Sequence, residues 1–286
     1  MLREERLWLI AQKLMEDQKV IGRQLADAFG LNLATIRLDL EELERRGVAR
    51  RVYGGAVLAA SSPNGSGLTV VESPFTERLN LQRAEKEAIG CAAAELIHDG
   101  ETIMMDGGST TYQVCRNLSR FSKLTVISCA VHSLWAELLA NTGLQVFLTG
   151  GFLRPESLSL VGEFSTEMLR SFRASKTIIG IDGVSMDNGF TALNFLEADI
   201  KKKMIAASEQ LVIVTDHTKF GKVGPIPVAS LEQATYVVTD AGVSADYVER
   251  LERAGIQVIV ADASAKAVGV RESVRTDAER PLEKSF

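Results

Sequence analysis

The chain of 286 residues carries 32 Lys and Arg against 37 Asp and Glu, a formal net charge of −5, and a hydrophobic fraction of 46%. That length fits one large or two ordinary domains with a real core; 24% charged residues argue against a disordered chain, and the acidic total stands against nucleic acid, which attracts basic surfaces. Cys91, Cys115 and Cys129 are odd in number and lack CxxC spacing, against a disulfide framework or a metal site, and a charged N-terminus without a run of about 18 apolar residues sets the expectation of a cytoplasmic protein with no membrane partner.

In chain order, residues 1–58 read as three helices and a hairpin. Leu7, Leu9, Ile10, Leu14 and Met15 recur at helical spacing, and Leu25, Ala26 and Phe29 form a second short face that Gly30 stops. Asn32 caps a third helix, which turns Ile36, Leu40 and Leu43 inward and ends at Gly47. Thr35, Arg37, Leu38, Glu41 and Glu42 are left on its other faces. Two helices joined by a short turn around Gly30 are helix-turn-helix geometry, in which the later helix enters the major groove. Segments 48–52 and 56–58, around Tyr53-Gly54-Gly55, read as the strands of a wing.

This module holds ten Lys/Arg against nine Asp/Glu, net +1, which leaves −6 to the remainder. The acidity therefore lies elsewhere. Arg45, Arg46, Arg50 and Arg51 fall within seven residues that contain no acid. Residues 59–72, with the Ser/Pro/Gly/Asn stretch from Ala59 to Gly67, read as a linker, 73–262 as a second domain, and the charged residues 263–286 as a mobile tail.

In the second domain short aliphatic runs recur at 102–105, 124–128, 145–148, 177–181, 211–214, 236–239 and 257–260. Most are separated by helical stretches at 111–118, 131–140, 162–172, 197–207 and 245–254. This alternation is the signature of an α/β, Rossmann-like domain with a mostly parallel sheet covered on both faces. Such sheets bind ligands beyond the carboxyl ends of their strands.

The first strand ends in Asp106-Gly107-Gly108-Ser109-Thr110-Thr111, whose glycines, hydroxyls and following helix suit a phosphate monoester. Alone, that reading stands level with simple helix capping by Ser109 or Thr110. The second strand ends in Ser128-Cys129 and the third in Thr149-Gly150-Gly151, and three small-residue ends leave room for a ligand. Lys219, within Asp216–Gly221, is a further candidate. Glu197 and Lys201, at i and i+4, read by themselves as an exposed ion pair worth about 0.3–0.5 kcal/mol, and Lys201-Lys202-Lys203 as a solvated helix face. No catalytic set and no grouped metal ligands stand out among the three scattered histidines.

These residues resemble the DeoR-type bacterial transcriptional regulators over nearly the whole chain to about Asp240. The resemblance is carried by Leu25-Ala26, by Thr35-Ile36-Arg37-Leu38-Asp39-Leu40, and by Arg51-Val52-Tyr53-Gly54-Gly55-Ala56. In the second domain it is carried by Asp106–Thr111, by Gly150-Gly151-Phe152-Leu153-Arg154, by Ser159–Gly162, and by Glu197–Lys201 and Asp216–Gly221. Two departures stand out: Leu38 occupies the place of a usual second arginine, and Ser128-Cys129 that of a usual Thr-Asn. The resemblance implies a winged helix-turn-helix followed by a sensor fold similar to ribose-5-phosphate isomerase that binds a phosphorylated sugar-type effector.

The resulting expectation is a repressor of a carbohydrate-metabolism operon, with no cofactor beyond its effector, that acts on double-stranded operator DNA as a homodimer or homotetramer. Thr35, Arg37 and Leu38 are the groove-facing candidates, with Arg45, Arg46, Arg50, Arg51, Tyr53, Gly54 and Gly55 on the phosphates. Asp106, Gly108, Ser109, Thr110, Ser128, Cys129, Gly150, Gly151, Glu197, Lys201 and Lys219 are the effector candidates. The alternative is a sugar-phosphate isomerase-like enzyme using the same pocket, and a redox or dinucleotide sensor using Cys129 is weaker, because no GxGxxG turn is present.

Overall fold

Apolar residues three and four apart give the N-terminal helices one buried face each. In α1 (Arg3–Asp17) that face is Leu7, Ile10 and Leu14; it packs with Leu25 of α2 (Gly22–Phe29) and with Ile36, Leu40 and Leu43 of α3 (Leu33–Arg45). Asn32 caps α3, accepting the Thr35 backbone N–H at 2.8 Å and its hydroxyl at 2.9 Å. The computed structural model describes residues 1, 3–45, 48–58, 73–141 and 143–262, so the expected linker 59–72, the expected tail 263–286, and Arg46 and Gly47 lie outside the described residues.

The expected hairpin is a three-stranded sheet. β1 (Lys19–Ile21) pairs with β3 (Gly55–Leu58), and β3 with β2 (Ala49–Val52), all antiparallel. Three residues before a helix give no readable alternation, which is why β1 escapes a sequence reading. Gly55 makes this join possible: a side chain there would sit 1.9 Å from the Val20 carbonyl oxygen. A bidentate ion pair, Arg6 Nε to Asp39 Oδ2 at 2.5 Å and Nη2 to Oδ1 at 3.0 Å, ties α1 to α3 below the surface.

The second domain opens with α4 (Phe75–Asn80) and α5 (Arg83–Ala94). Strands and helices then alternate: β4 (Thr102–Met105), α6 (Ser109–Arg116), β5 (Thr125–Ser128), α7 (Leu134–Asn141) and β6 (Gln145–Leu148). The hairpin of β7 (Phe152–Arg154) and β8 (Ser159–Val161) follows, then α8 (Glu163–Leu169) and β9 (Ala174–Gly180). After β10 (Gly183–Ser185) and β11 (Gly189–Ala192) come α9 (Phe195–Ala206), β12 (Ser208–Val214), β13 (Ile226–Ala229), β14 (Tyr236–Asp240), α10 (Ala245–Arg253) and β15 (Gln257–Ala261).

Seven strands form one sheet in the order β15-β14-β12-β9-β4-β5-β6, parallel throughout. Alternate residues point to opposite faces: Ile103, Met105, Ile178 and Val212 pack with Ile89 of α5, while Met104, Ile179 and Ile213 pack with Met204 of α9. β9 and β12 each begin three residues before their apolar runs, on the segments Ala174-Ser175-Lys176 and Ser208-Glu209-Gln210, whose polar residues an apolar pattern omits. The helix expected from 131 starts only at Leu134, because Ala130 is bridged to Ser159 and the Val131 N–H donates to the Leu158 carbonyl. A second small sheet, β10-β11-β13, covers one flank of α9.

The Arg6–Asp39 pair sets a measurable expectation. Arg6→Met leaves a carboxylate that is 1% exposed facing, among the described residues, only the more distant Arg3, and should cost about 3–5 kcal/mol in urea unfolding. Arg6→Met together with Asp39→Leu should cost less than Arg6→Met alone; equal or greater loss in the double variant would show that the burial of charge is not the cause.

Candidate functional site

Two surfaces carry the residues singled out above. The first belongs to α3 and the wing. On α3, Arg37 and Leu38 are exposed and Thr35 half-exposed, opposite the face that packs on α1. Tyr53 stands fully in solvent at the wing tip, in the turn it forms with Gly54 between β2 and β3, and Gly55 opens β3. An open groove of about 830 Å³ runs between helix and wing and takes in Arg37, Arg51 and Tyr53. The expected arginine cluster is not one uniform positive surface. Arg45 is bound by Glu42 at 2.6–2.9 Å and Arg51 by Glu44 at 2.7 Å, each from the acidic stretch of α3. No ion pair engages Arg37 or Arg50 among the described residues.

The second surface lies at the carboxyl ends of the central strands. β4 delivers Asp106, which is 4% exposed. Its Oδ1 accepts the Thr111 hydroxyl at 2.7 Å and the Gly108 N–H at 3.2 Å; its Oδ2 accepts the Gly180 N–H at 3.2 Å and meets Lys201 Nζ at 3.3 Å. One carboxylate thus ties the start of α6, the end of β9 and the middle of α9 to β4.

Glu197 does not pair with Lys201 as an exposed i,i+4 couple. It sits in the first turn of α9, which Asn194 caps, and binds the guanidinium of Arg154, itself 2% exposed, from the β7–β8 hairpin. Burial drives the Glu197 carboxyl up, but Arg154 and Lys201 together outweigh it and hold it below the usual range. Burial works against the Lys201 charge as well, and Asp106, Asp182 and Glu197 raise it above the ordinary lysine value. The lysine run is accordingly no solvated face: Lys201 is buried, and Lys202 and Lys203 are half-buried.

Asp106, Gly107, Cys129, Glu197 and Lys201 line a crevice of only about 10 Å³, room for at most one water. The small strand ends differ: Gly150 is exposed, with nothing within 4 Å of where a side chain would stand, whereas at Gly151 that place is closed in. A side chain on Gly151, held at φ +108°, would meet Ser165 Oγ at 2.4 Å and the Val161 carbonyl at 2.5 Å. The Ser165 hydroxyl donates to the Gly150 carbonyl, and Ser128 Oγ donates to the Met105 carbonyl at 3.0 Å. Burial and the charges of Asp106 and Glu197 push the Cys129 thiol up, away from the reactive thiolate. Gly108 N-caps α6, and Ser109 and Thr110 are buried in its first turn.

Lys219 stands apart from this crevice, on the short helical turn after β12, where Asp216 accepts the Thr218 N–H at 3.0 Å. Across from it lie two cations that pattern reading missed. Lys86 of α5 is 4% exposed, donates to the Arg78 carbonyl at 2.6 Å, and feels the charges of Asp216 and Lys219. Arg78 of α4 acts in turn on Glu197. The two lie well before the first strand, on helices whose apolar spacing reveals nothing of a site.

On α9, about 100° per residue puts Glu197, Ile200 and Lys201 on the side of the crevice and Phe195, Asp199 and Lys202 on the other. That far side lines a polar cleft of about 370 Å³, completed by Arg3 and Arg45 of the N-terminal domain.

Burial brings the Lys86 ammonium down to about 8 from its ordinary 10.5. A base whose folded value is depressed costs stability while it stays charged. Stability should therefore rise with pH between about 8 and 10.5, and Lys86→Met should remove that rise in denaturation curves taken across the window. A parallel rise in both proteins would place Lys86 in solvent instead.

Two sequence profiles match the chain, the DeoR-like helix-turn-helix domain over residues 6–62 and the DeoR C-terminal sensor domain over residues 81–241. The HTH-type transcriptional repressor GlcR of Bacillus subtilis is 30% identical over 263 residues, 92% of this chain and 98% of that one. The glycerol-3-phosphate regulon repressor of Escherichia coli K12 is 29% identical over 232 residues, 81% and 88% of the respective chains. Among solved structures, ribose 5-phosphate isomerase A of Neisseria gonorrhoeae shares 20% identity at a TM-score of 0.34, over 47% of this chain and 52% of that one.

Proposed function

This chain belongs to the DeoR family of transcriptional regulators, a DNA-binding regulator and not an enzyme, and from that premise we propose that it represses a carbohydrate-metabolism operon under the control of a phosphorylated sugar. The observation that carries the effector reading is the gathering of Lys201 and, through Glu197, Arg154 at one crevice, with Lys86 and Lys219 forming a second group of cations apart from it. A phosphate dianion and sugar hydroxyls suit such cations next to carboxylates. Its sequence relative in E. coli is named for a glycerol-3-phosphate regulon, which agrees with a phosphorylated ligand.

In this reading α3 lies in the major groove, Arg37 reads a base, and Arg50, Arg51 and the wing hold phosphates. One such domain buries too little for tight binding, so a homodimer or homotetramer acts on repeated half-sites in the cytoplasm. The 10 Å³ crevice has no room for a sugar phosphate, so the effector takes its cations from Asp106 and Glu197 and displaces α9. The opposite face of α9 carries that displacement to the cleft beside Arg3 and Arg45, and so to the DNA-binding domain.

Selection of bound duplexes from a random library at defined salt, followed by gel shifts, tests the reading. Wild-type protein should return one recurring site, and Arg37→Ala should lose about 1–3 kcal/mol per half-site. Unchanged sequence-specific binding by Arg37→Ala would overturn the role of α3. Among aldose and ketose phosphates, at least one should stabilise the protein by about 2.7 kcal/mol at a hundredfold excess over its Kd, without being converted. Conversion would favour the isomerase reading.

Transmission has its own test, read as the ratio of operator affinities with and without the most stabilising compound of that screen. Lys202→Glu should bring the ratio below twofold, and Lys202→Arg should keep it. A wild-type ratio in Lys202→Glu would route the signal elsewhere.

A further inference from the structure

We propose that Leu38 reads sequence by receiving the C5-methyl group of a thymine in the major groove. The inference rests on α3 being the recognition helix and names the chemistry that its least expected residue recognises. Leu38 lies in the first half of α3, the part of a recognition helix that reaches base edges. At about 100° per residue it stands about 170° from the middle of the Ile36, Leu40, Leu43 face that packs into the domain. Its side chain is 61% exposed, among Ala34, Arg37 and Glu41 on the outer face of the helix.

A lone exposed leucine means little on a protein surface. Its place on the helix decides otherwise here. On α3, Leu33, Arg37, Leu40 and Glu44 line the groove beside the wing, with Ile21, Arg51, Val52 and Tyr53 opposite. Leu38 follows Arg37 and turns its exposed side chain outside that groove, onto the outer face of the recognition helix.

Leucine carries no charge for a phosphate and no donor or acceptor for a base edge. In the major groove the thymine methyl is the one apolar group a base pair offers. Against guanine or adenine, the same side chain would cover the N7 acceptor, and against cytosine the amino donor, without returning a hydrogen bond. Preference for thymine therefore arises from contact with its methyl and from a penalty against the other bases. Ala34, one turn before Leu38, keeps this part of the outer face small enough for close approach to the bases.

The experiment uses the full chain and the operator recovered by duplex selection. Each thymine of a half-site is replaced in turn by deoxyuridine, which removes the methyl and leaves every hydrogen bond of the pair. One position per half-site should cost wild-type protein about fourfold in Kd, the worth of one buried methyl-sized group. The same substitution should cost Leu38→Ala less than 1.5-fold, and Leu38→Arg should move the preferred base there from thymine to guanine. Thermal melts establish that both variants fold, as expected for an exposed site. The inference is overturned if no thymine is uracil-sensitive, or if Leu38→Ala retains the full uracil penalty. Failure of wild-type protein to select any sequence would instead remove the assignment of α3 itself.

Discussion

A carboxylate buried at the end of a strand must be neutralised where it stands, and the sensor domain is organised around that requirement at Asp106. Its two oxygens accept from Thr111, Gly108 and Gly180 and face Lys201, so β4, α6, β9 and α9 meet on one charge. Lys201, once buried, needs its own compensation, and so does Glu197 one turn before it, which draws in Arg154 from the β7–β8 hairpin. Uncompensated, each such charge would cost several kcal/mol. The result is a set in which Arg154 and Lys201 are each already held by a carboxylate. Under the proposed function, a ligand entering this set competes with the protein's own acids, which couples occupancy to shape.

The DNA-binding domain works under a related limit. With a net charge of +1 it has little general attraction for a duplex, and Glu42 and Glu44 restrain Arg45 and Arg51. In the proposed DNA complex, phosphates reaching those arginines displace the acids. Weak background binding places more of the discrimination on groove contacts and on the number of domains engaged. The −6 carried by the rest of the chain adds nothing to DNA attraction.

Much of this was legible in the residues, for physical reasons that can be stated. The helix-turn-helix shows because amphipathic spacing and an Asn32 cap are local properties. The seven strands show because a parallel sheet buried on both faces needs continuous aliphatic runs. Asp106, Glu197 and Lys201 could be singled out as ionisable groups at strand ends or in short motifs. Arg78 and Lys86 could not, since they sit on α4 and α5, far from any strand end in sequence, and reach the site only through packing. Small residues after β5 and β6 were legible as well, but not their use: at Gly151 the missing side chain makes room for Ser165 and Val161 rather than for a ligand.

By itself the sequence determined that a helix-turn-helix precedes an α/β domain and named most of the charged groups of the sensor, because each follows from local periodicity or from residue chemistry. Only the tertiary structure decided which charges face one another. Glu197 and Lys201 are spaced for a surface pair, yet burial of α9 against the sheet turns one to Arg154 and the other to Asp106. Pairing of buried charges depends on which elements meet in space, and neither the strand order β12-β9-β4-β5 nor the packing of α9 on β9 and β12 is written in any local pattern.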